Sequence, residues 1–311
     1  MISLRNALAS IGESVAMPFA WRKSFGGRTP SSLGVGVAGM TDPQVERWKE
    51  VGVALKGELS EEAQGVTTDG LAWYACSNDS KKVVRFNDQG MKTNTYIPSP
   101  HVVKPLTTLV YIAGKPVPVI NAHFGAPAYH DGWIYVPIQK PYGVWRFTTD
   151  DKVHEWHKAR ALSEENMFPW CAIHPVTGLL YTCNYDKPNF LRAYDRNTLA
   201  YLPQHDIPLG KTSLSLDKVQ GGVFTSHGRV LIVRWDFNAV FCFSALNGYC
   251  FGAKKLGDFG SVGSEVESVT VRPWRFGDRV AFIHIMELDN DYLEDDDLYL
   301  RSYFVPDPDR L

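Results

Sequence analysis

The sequence predicts an all-β protein built as a single β-propeller, and two observations carry that prediction. One degenerate pattern occurs five times along the 311 residues, at Gln64–Gly70, Ala126–Gly132, Cys171–Gly178, Gly222–Gly228 and Ser268–Pro273. The glycines that close the first four copies lie 62, 46 and 50 residues apart, at Gly70, Gly132, Gly178 and Gly228. A period of about 50 residues with several short strands in each unit is typical of propeller blades.

Apolar runs bounded by turn residues predict the strands of each blade. Blade one has Gly65–Thr68, Leu71–Cys76, Lys82–Phe86 and Thr93–Ile97. Blade two has Ala126–Tyr129, Trp133–Ile138, Gly143–Thr148 and a weaker Val153–His157. Blade three has Cys171–His174, Leu179–Asn184, Phe190–Tyr194 and Ala200–Gln204. Blade four has Gly222–Thr225, Val230–Trp235, Ala239–Ser244 and Cys250–Ala253. Blade five has Ser268–Arg272, Arg279–Met286 and Asp297–Val305.

The fifth blade is one strand short, and this predicts how the ring closes. The segment Glu46–Leu55 has strand character and precedes blade one, so we expect it to supply the outer strand of blade five. Closure of this kind removes two exposed sheet edges. The prediction is therefore five blades in residues 33–311, preceded by an N-terminal arm or short helix in residues 1–32. Six blades is the alternative, because Val102–Ile120 and residues 33–45 could form a hairpin or part of another blade.

Composition restricts the partners. The chain is 44% apolar and 21% charged, and its formal net charge of −2 predicts neither nucleic acid nor an anionic membrane as a partner. No run approaches the roughly 20 apolar residues that a membrane helix needs, and the first residues lack the apolar core of a secretory signal. We therefore expect a soluble protein.

Cysteine usage predicts the compartment. Five cysteines without framework spacing predict buried free thiols and a cytoplasmic protein. The alternative is a disulfide between Cys171 and Cys183 or between Cys242 and Cys250, because each pair flanks a tight turn.

The first strand of each propeller blade lines the central channel, so polar residues at the start of these strands mark the candidate site. His123, Glu62 and Glu267 are the candidate catalytic residues, because they occupy similar positions in three different blades. A carboxylate beside His123 could orient it as a general base. The same three residues are the candidate ligands if the channel holds a divalent cation, for which one imidazole among carboxylates suits a transition metal better than calcium.

Other residues at the same end of the blades are candidates for binding a small-molecule ligand. They are Gln64, Trp170, Gln220, Tyr142, Tyr185, Arg234 and Asp236. Trp170 could stack on a ligand ring, and Arg234 could clamp a substrate carboxylate. The alternative is structural: Gln and Glu side chains here would bond the backbone of neighbouring blades, and Arg234 would pair with Asp236.

Two blade phrases resemble those of the gluconolactonase and strictosidine-synthase-like propellers. They are Glu62–Gly70, which reads EAQGVTTDG, and His130–Pro137, which reads HDGWIYVP. The resemblance covers roughly residues 61–286. It implies six blades and, for the gluconolactonase type, a channel cation held by Glu, Asn and Asp, of which only Glu62 has a matching position here.

Two functions follow from these patterns. The first is an enzyme that acts on a small organic molecule at the channel mouth by acid–base chemistry, as a hydrolase or as a cyclase or isomerase. The second is a non-catalytic propeller that binds a ligand or another protein. An enzyme predicts a polar cavity with perturbed titrating groups, and a scaffold predicts an exposed apolar patch.

Overall fold

The computed structural model describes residues 49–54, 63–78, 80–87, 90–112, 115–120, 122–139, 141–159, 168–210, 216–226, 228–235, 238–256, 264–273, 281–289 and 297–305. Within them the chain is mostly β, and it forms five antiparallel sheets of four or five strands and one two-stranded sheet. We number the five larger sheets 1 to 5 by the chain order of their first strands, beginning after the N-terminal strand β1 (Lys49–Ala54).

The first two sheets are separated by a short helical stretch and a hairpin. Sheet 1 contains β2 (Ala63–Thr68), β3 (Trp73–Ser77), β4 (Lys82–Phe86) and β5 (Lys92–Tyr96). Next come helix α1 (Pro100–Val103), a 3-10 turn (Lys104–Leu106) and the hairpin strands β6 (Thr107–Ile112) and β7 (Lys115–Ile120). Sheet 2 contains β8 (His123–Phe124), β9 (Ala128–His130), β10 (Trp133–Gln139), β11 (Gly143–Thr148) and β12 (His154–Lys158).

The remaining sheets follow in chain order. Sheet 3 contains β13 (Ala172–Ile173), β14 (Leu180–Thr182), β15 (Phe190–Tyr194) and, after a 3-10 turn (Pro203–His205), β16 (Ile207–Pro208). Sheet 4 contains β17 (Val219–Phe224), β18 (Arg229–Arg234), β19 (Ala239–Ser244) and β20 (Cys250–Lys255). Sheet 5 contains β21 (Ser264–Pro273), β22 (Ala281–Asp289) and β23 (Asp297–Val305), with β1 beside β23 as its outer strand.

Most predicted strands lie within a few residues of the observed ones, and one differs in part. The fourth strand of sheet 3 was predicted at Ala200–Gln204; Tyr201 forms an antiparallel bridge with Tyr194 of β15, but Pro203 begins a 3-10 turn and Ile207–Pro208 supplies the fourth strand. A proline lacks the backbone N–H that a ladder requires, which favours the turn. Val102–Ile120 forms helical turns and the β6–β7 hairpin, which within the described residues pairs with no blade.

Sheets 1 to 5 meet through their first strands, except that sheet 2 uses β9, which pairs with β10 as β8 does. Contacts run from β2 to β9, β13, β17 and β21 in turn, and β21 contacts β2 again. The approach is close enough to need small residues. A Cβ on Gly65 would lie 2.5 Å from the Cα of Ala126, and a Cβ on Gly221 would lie 2.6 Å from the Cα of Ser268. Ser268 Oγ in turn accepts the N–H of Val66 at 2.9 Å.

The core lies between neighbouring sheets around this ring. Each of the five buried apolar clusters in the described residues draws mainly on two adjacent sheets: 1 with 2, 2 with 3, 3 with 4, 4 with 5, and 5 with 1. Trp145, Phe124 and Tyr96 fill the cluster of sheets 1 and 2, and Trp170 and Phe241 that of sheets 3 and 4. Apolar burial between sheets therefore holds the ring together.

The cysteines follow the prediction of free thiols. All five are free, and Cys76, Cys171, Cys183 and Cys242 are buried. Burial raises the pKa of the Cys183 thiol to about 12 and that of Cys250 to about 11, so both remain protonated at neutral pH. No helix in the described part of the chain is long and apolar enough to cross a membrane.

Candidate functional site

A one-residue bulge occurs at the start of three first strands, and each bulged residue is polar. Gln64 is the extra residue of β2 against β3, Gln220 that of β17 against β18, and Glu267 that of β21 against β22. A bulge breaks the alternation of a strand and re-aims the side chain at that position. The residue that follows each bulge is small and contacts a neighbouring sheet, at Gly65, Gly221 and Ser268. The three polar side chains therefore lie at one level and at one end of the ring.

The first pair of polar groups joins sheets 1 and 2. The imidazole Nε2 of His123 lies 2.9 Å from Oε1 of Gln64. Gln64 is only 8% exposed, whereas His123 is half-buried at the start of β8, opposite Gln139. A ring nitrogen facing an amide oxygen carries the proton, so the bond fixes both the ring orientation and its tautomer.

Asn78 holds the strand that carries His123. Its Oδ1 accepts the N–H of Phe124 at 3.1 Å and the ammonium of Lys81 at 2.7 Å. A turn residue of sheet 1 thus anchors the first strand of sheet 2 next to the imidazole. The sequence alone does not reveal this role of Asn78, because the bond crosses between sheets.

The second pair joins sheets 4 and 5. The amide nitrogen of Gln220 lies 3.5 Å from a carboxylate oxygen of Glu267, which is only 1% exposed. A second buried carboxylate, Glu287, pairs with Val266 across the sheet and accepts from the guanidinium of Arg301 at 2.5 Å. Buried charges need such partners, because an unpaired one is strongly destabilising.

Tyr185 brings sheet 3 to the same end. Its backbone oxygen accepts the N–H of Val219, and its hydroxyl is hydrogen-bonded to the indole N–H of Trp235. Burial, aided by the negative charges of Glu267, Asp186 and Glu265 and opposed by the bond from Trp235, raises the pKa of Tyr185 to about 12. The phenol is therefore protonated at neutral pH and lies in a negative potential.

The remaining predicted residues are placed differently. Trp170 is fully buried between sheets 3 and 4, where its ring touches Gly222 and its indole N–H donates to the Cys183 sulfur at 3.2 Å. It is core and does not present its ring at the mouth. Tyr142 is half-buried and packs against the cluster between sheets 2 and 3.

Arg234 is half-buried at the end of β18, where it pairs across the sheet with Val219, one residue before the bulge at Gln220. Glu62 and Asp236 lie outside the described residues. Among the described residues no group of three or more His, Cys, Asp and Glu side chains is arranged to hold a metal ion. The predicted metal set depends on Glu62, so it stays a prediction.

Comparisons with known proteins give the fold. No family model matches the chain, and no curated protein matches it. Among solved structures it is similar to the glutaminyl cyclase of Myxococcus xanthus, with a TM-score of 0.53 and 9% identity, over 83% of this chain and 97% of that one.

Two further solved structures have lower scores. A luciferin-regenerating enzyme has a TM-score of 0.48 and 13% identity, over 82% of this chain and 95% of that one. Virginiamycin B lyase from Staphylococcus aureus has a TM-score of 0.43 and 8% identity, over 83% and 99%. The glutaminyl cyclase, whose TM-score is above 0.5, is a β-propeller-type protein, so the predicted propeller class is confirmed.

Proposed function

We propose that sheets 1 to 5 are the five blades of one closed ring, with β1 as the closing strand. The cyclic contacts of the first strands and the five core clusters between neighbouring sheets support this count. The pairing of β1 with β23, from Lys49 opposite Phe304 to Ala54 opposite Leu300, supports the closure. Among the described residues the hairpin β6–β7 pairs with no other strand, which supports five blades over six.

We propose further that the polar end of this ring is the site of an enzyme that acts on a small organic molecule by acid–base chemistry. The observation that carries the proposal is the placement of His123, Gln64, Gln220 and Glu267 at one level from four sheets. Fold alone does not decide function in propellers, so the side chains carry the argument.

His123 is the proton acceptor in this proposal. Because its Nε2–H donates to Gln64, the acceptor nitrogen of the neutral ring is Nδ1. An imidazole is the side chain whose ordinary pKa lies closest to neutrality, which suits it to take a proton from a substrate and return it. Gln64 and Asn78 act as positioning residues, since one orients the ring and the other its strand.

Glu267 and Tyr185 form the other half of the site. Tyr185 is a neutral hydrogen-bond donor, which suits it to stabilise negative charge developing on a carbonyl oxygen. The carboxylates of Glu267, Glu265 and Asp186 around it favour a substrate that is neutral or positively charged over an anionic one. Hydrolysis, cyclisation and isomerisation all need one base and one acid of this kind.

An activity screen with paired variants tests the proposal. The panel contains small esters, lactones and amino-terminal glutaminyl peptides, the last because the fold neighbour is a glutaminyl cyclase. We expect His123→Ala and Glu267→Gln to lower kcat by about 10²–10⁴, the usual contribution of a positioned acid or base. His205→Ala, which changes an exposed histidine elsewhere, is the control and should keep full activity.

The melting temperature separates chemistry from folding. His123→Ala should melt within a few degrees of the parent protein if its role is catalytic. A large loss of stability without a bound ligand would make His123 a structural residue. A parallel assay in the presence of a chelator tests whether activity depends on a divalent cation, which Glu62, His123 and Glu267 would hold. Only a cation-dependent enzyme loses activity when the chelator is added.

The second candidate function is a non-catalytic binding propeller. The apolar hairpin β6–β7 favours it, because Leu109, Tyr111 and Ile112 are each more than half exposed. A ligand that binds at the mouth without turnover, together with partner binding that depends on the hairpin, would replace the enzyme reading. Tight binding that persists in His123→Ala would point the same way.

A further inference from the structure

The β6–β7 hairpin is the most apolar exposed element among the described residues. Leu109, Val110, Tyr111, Ile112, Val117 and Val119 are all exposed. The hairpin is anchored at its base, where Leu106 is buried and Ile120 packs against the cluster of sheets 1 and 2. Within the described residues β6 and β7 pair only with each other, so each has one free edge.

The register shows which backbone groups face outward. Two residues separate the strands, and Ile112 pairs with Lys115 next to the turn. In a hairpin with a two-residue turn, the pair that flanks the turn is a hydrogen-bonded pair. If it were not, the next hydrogen-bonded pair would have to be the two adjacent turn residues, which cannot bond each other in this way. Pairs then alternate, so Tyr111–Pro116 and Leu109–Pro118 are not hydrogen-bonded within the hairpin.

The two free edges therefore differ. The backbone nitrogens of Pro116 and Pro118 point away from β6 and carry no proton, so the outer edge of β7 cannot donate at either position. The outer edge of β6 is open at two residues, because the N–H and C=O groups of Leu109 and Tyr111 point outward, whereas the N–H of Thr107 is bonded to the carbonyl of Lys104. One edge of the hairpin is blocked and the other is open.

We propose that the open edge of β6 pairs antiparallel with β6 of a second copy of this chain. A strand edge is self-complementary about a two-fold axis. The sequence of β6, Thr-Thr-Leu-Val-Tyr-Ile, carries no charge, so two copies meet without like-charge repulsion. The resulting order β7–β6–β6′–β7′ ends in a proline-blocked edge on both sides, which stops growth at the dimer.

The exposed area sets the strength of this association. The six exposed apolar side chains of the hairpin present on the order of 500 Å² of surface, whereas a standard interface buries about 800 Å² on each partner. The dimer is therefore weak, reversible and dependent on concentration.

Sedimentation equilibrium of the full chain tests the dimer, from about 1 to 200 µM, the range where weak interfaces associate. We expect the average mass to rise from 34.9 kDa towards twice that value. Leu109→Pro removes an outward N–H without touching the hairpin ladder, and Leu109→Lys adds an edge charge. Both should remain near 34.9 kDa. Leu246→Lys changes an equally apolar exposed residue in a turn of sheet 4 and should still dimerise.

Hydrogen exchange at low and high concentration supplies a readout at single amides. The amides of Leu109 and Tyr111 should become protected only at high concentration, whereas those of Val110 and Ile112 are already bonded to β7 and should not change. A monomer at every concentration overturns the proposal, as does a dimer that survives both Leu109 substitutions. The proposal is also overturned if the chain stays monomeric and binds zwitterionic phosphatidylcholine vesicles, and if Leu109→Lys abolishes that vesicle binding. That result would assign the hairpin to a lipid surface.

Discussion

The contact between sheets 5 and 1 differs in chemistry from the contact between sheets 3 and 4. Sheets 5 and 1 are far apart in the chain and are tied by polar groups. The guanidinium of Arg272 donates twice to the carbonyl of Gly70, at 2.8 and 3.2 Å, and lies over the Trp73 ring. Ser268 adds its bond to Val66.

Sheets 3 and 4 are neighbours in the chain, and apolar packing dominates their contact. The Trp170 ring lies against Gly222, and Phe224 packs on the rings of Tyr181 and His174. Contacts made of apolar surface are tolerant of direction, whereas hydrogen bonds fix register. Hydrogen bonds therefore add a fixed register to the apolar cluster that sheets 5 and 1 share, whereas aromatic packing is the larger part of the contact between sheets 3 and 4.

Removal of the N-terminal strand should break the contact of sheets 5 and 1 most completely. A chain lacking residues 1–57 loses β1 and exposes the nine-residue edge of β23, so we expect aggregation. A chain lacking residues 1–30 keeps β1 and should melt cooperatively at nearly the parent temperature. A synthetic peptide of residues 46–57 should restore solubility to the shorter chain. A soluble monomer that melts cooperatively after the longer deletion would contradict the closure.

A double-mutant cycle should measure the energetic coupling between Trp170 and Gly222 in the apolar contact of sheets 3 and 4. Trp170→Ala leaves a cavity and should lower the free energy of unfolding by about 3–5 kcal/mol. Gly222→Ala places a Cβ 2.6 Å from the six-membered ring of Trp170 and should cost about 1–3 kcal/mol through overpacking.

Trp170→Phe shortens that ring, so Gly222→Ala should cost much less in this background. Urea denaturation of the two single variants and the double variant measures the coupling. Additive costs would mean that the two residues do not share the contact.

The sequence predicted the regular parts of the fold because local signals define them. Glycine-closed turns such as Gly132 and Gly228 have positive φ and sit between strands that alternate in the expected way. Ile207–Pro208 was missed because a two-residue strand has no periodicity to detect. Its place was fixed by pairing with Phe190 and Leu191, which is not a local signal.

The candidate site was predictable only in part for the same reason. Gln64, Gln220 and Glu267 were identified as polar residues of first strands, but their bulges depend on pairing with the second strands. Trp170 was expected at the mouth by analogy of position. A bridge pairs Trp170 with Ala126 instead, and Ala126 itself contacts Gly65, the residue after the bulge at Gln64, so the indole faces the core. A shift of one residue changes which side a side chain takes.

The pH dependence of stability tests the contact of sheets 5 and 1 with the smallest perturbation. His284 is buried beside Trp73, with ring centroids 4.5 Å apart, and its Nδ1 lies 2.8 Å from the hydroxyl of Ser302. Burial and, to a lesser extent, the positive charge of Arg272 lower the pKa of His284 to about 3. In the unfolded chain the pKa of a histidine is about 6.5.

Below pH 6.5 the unfolded chain therefore binds a proton that the folded chain does not. The contribution of His284 is fully present above pH 6.5 and is lost as the pH falls from there towards 3, by up to about 1.4 kcal/mol per pH unit. His284→Asn retains a hydrogen-bonding group towards Ser302 but does not titrate. We expect the free energy of unfolding of this variant to fall less steeply between pH 6.5 and 4.5 than that of the parent. The difference between the two slopes should correspond to about one proton, or about 1.4 kcal/mol per pH unit. His205→Asn, at an exposed histidine, should leave the slope unchanged, and equal slopes in the parent and His284→Asn would show that His284 is not buried in its neutral form.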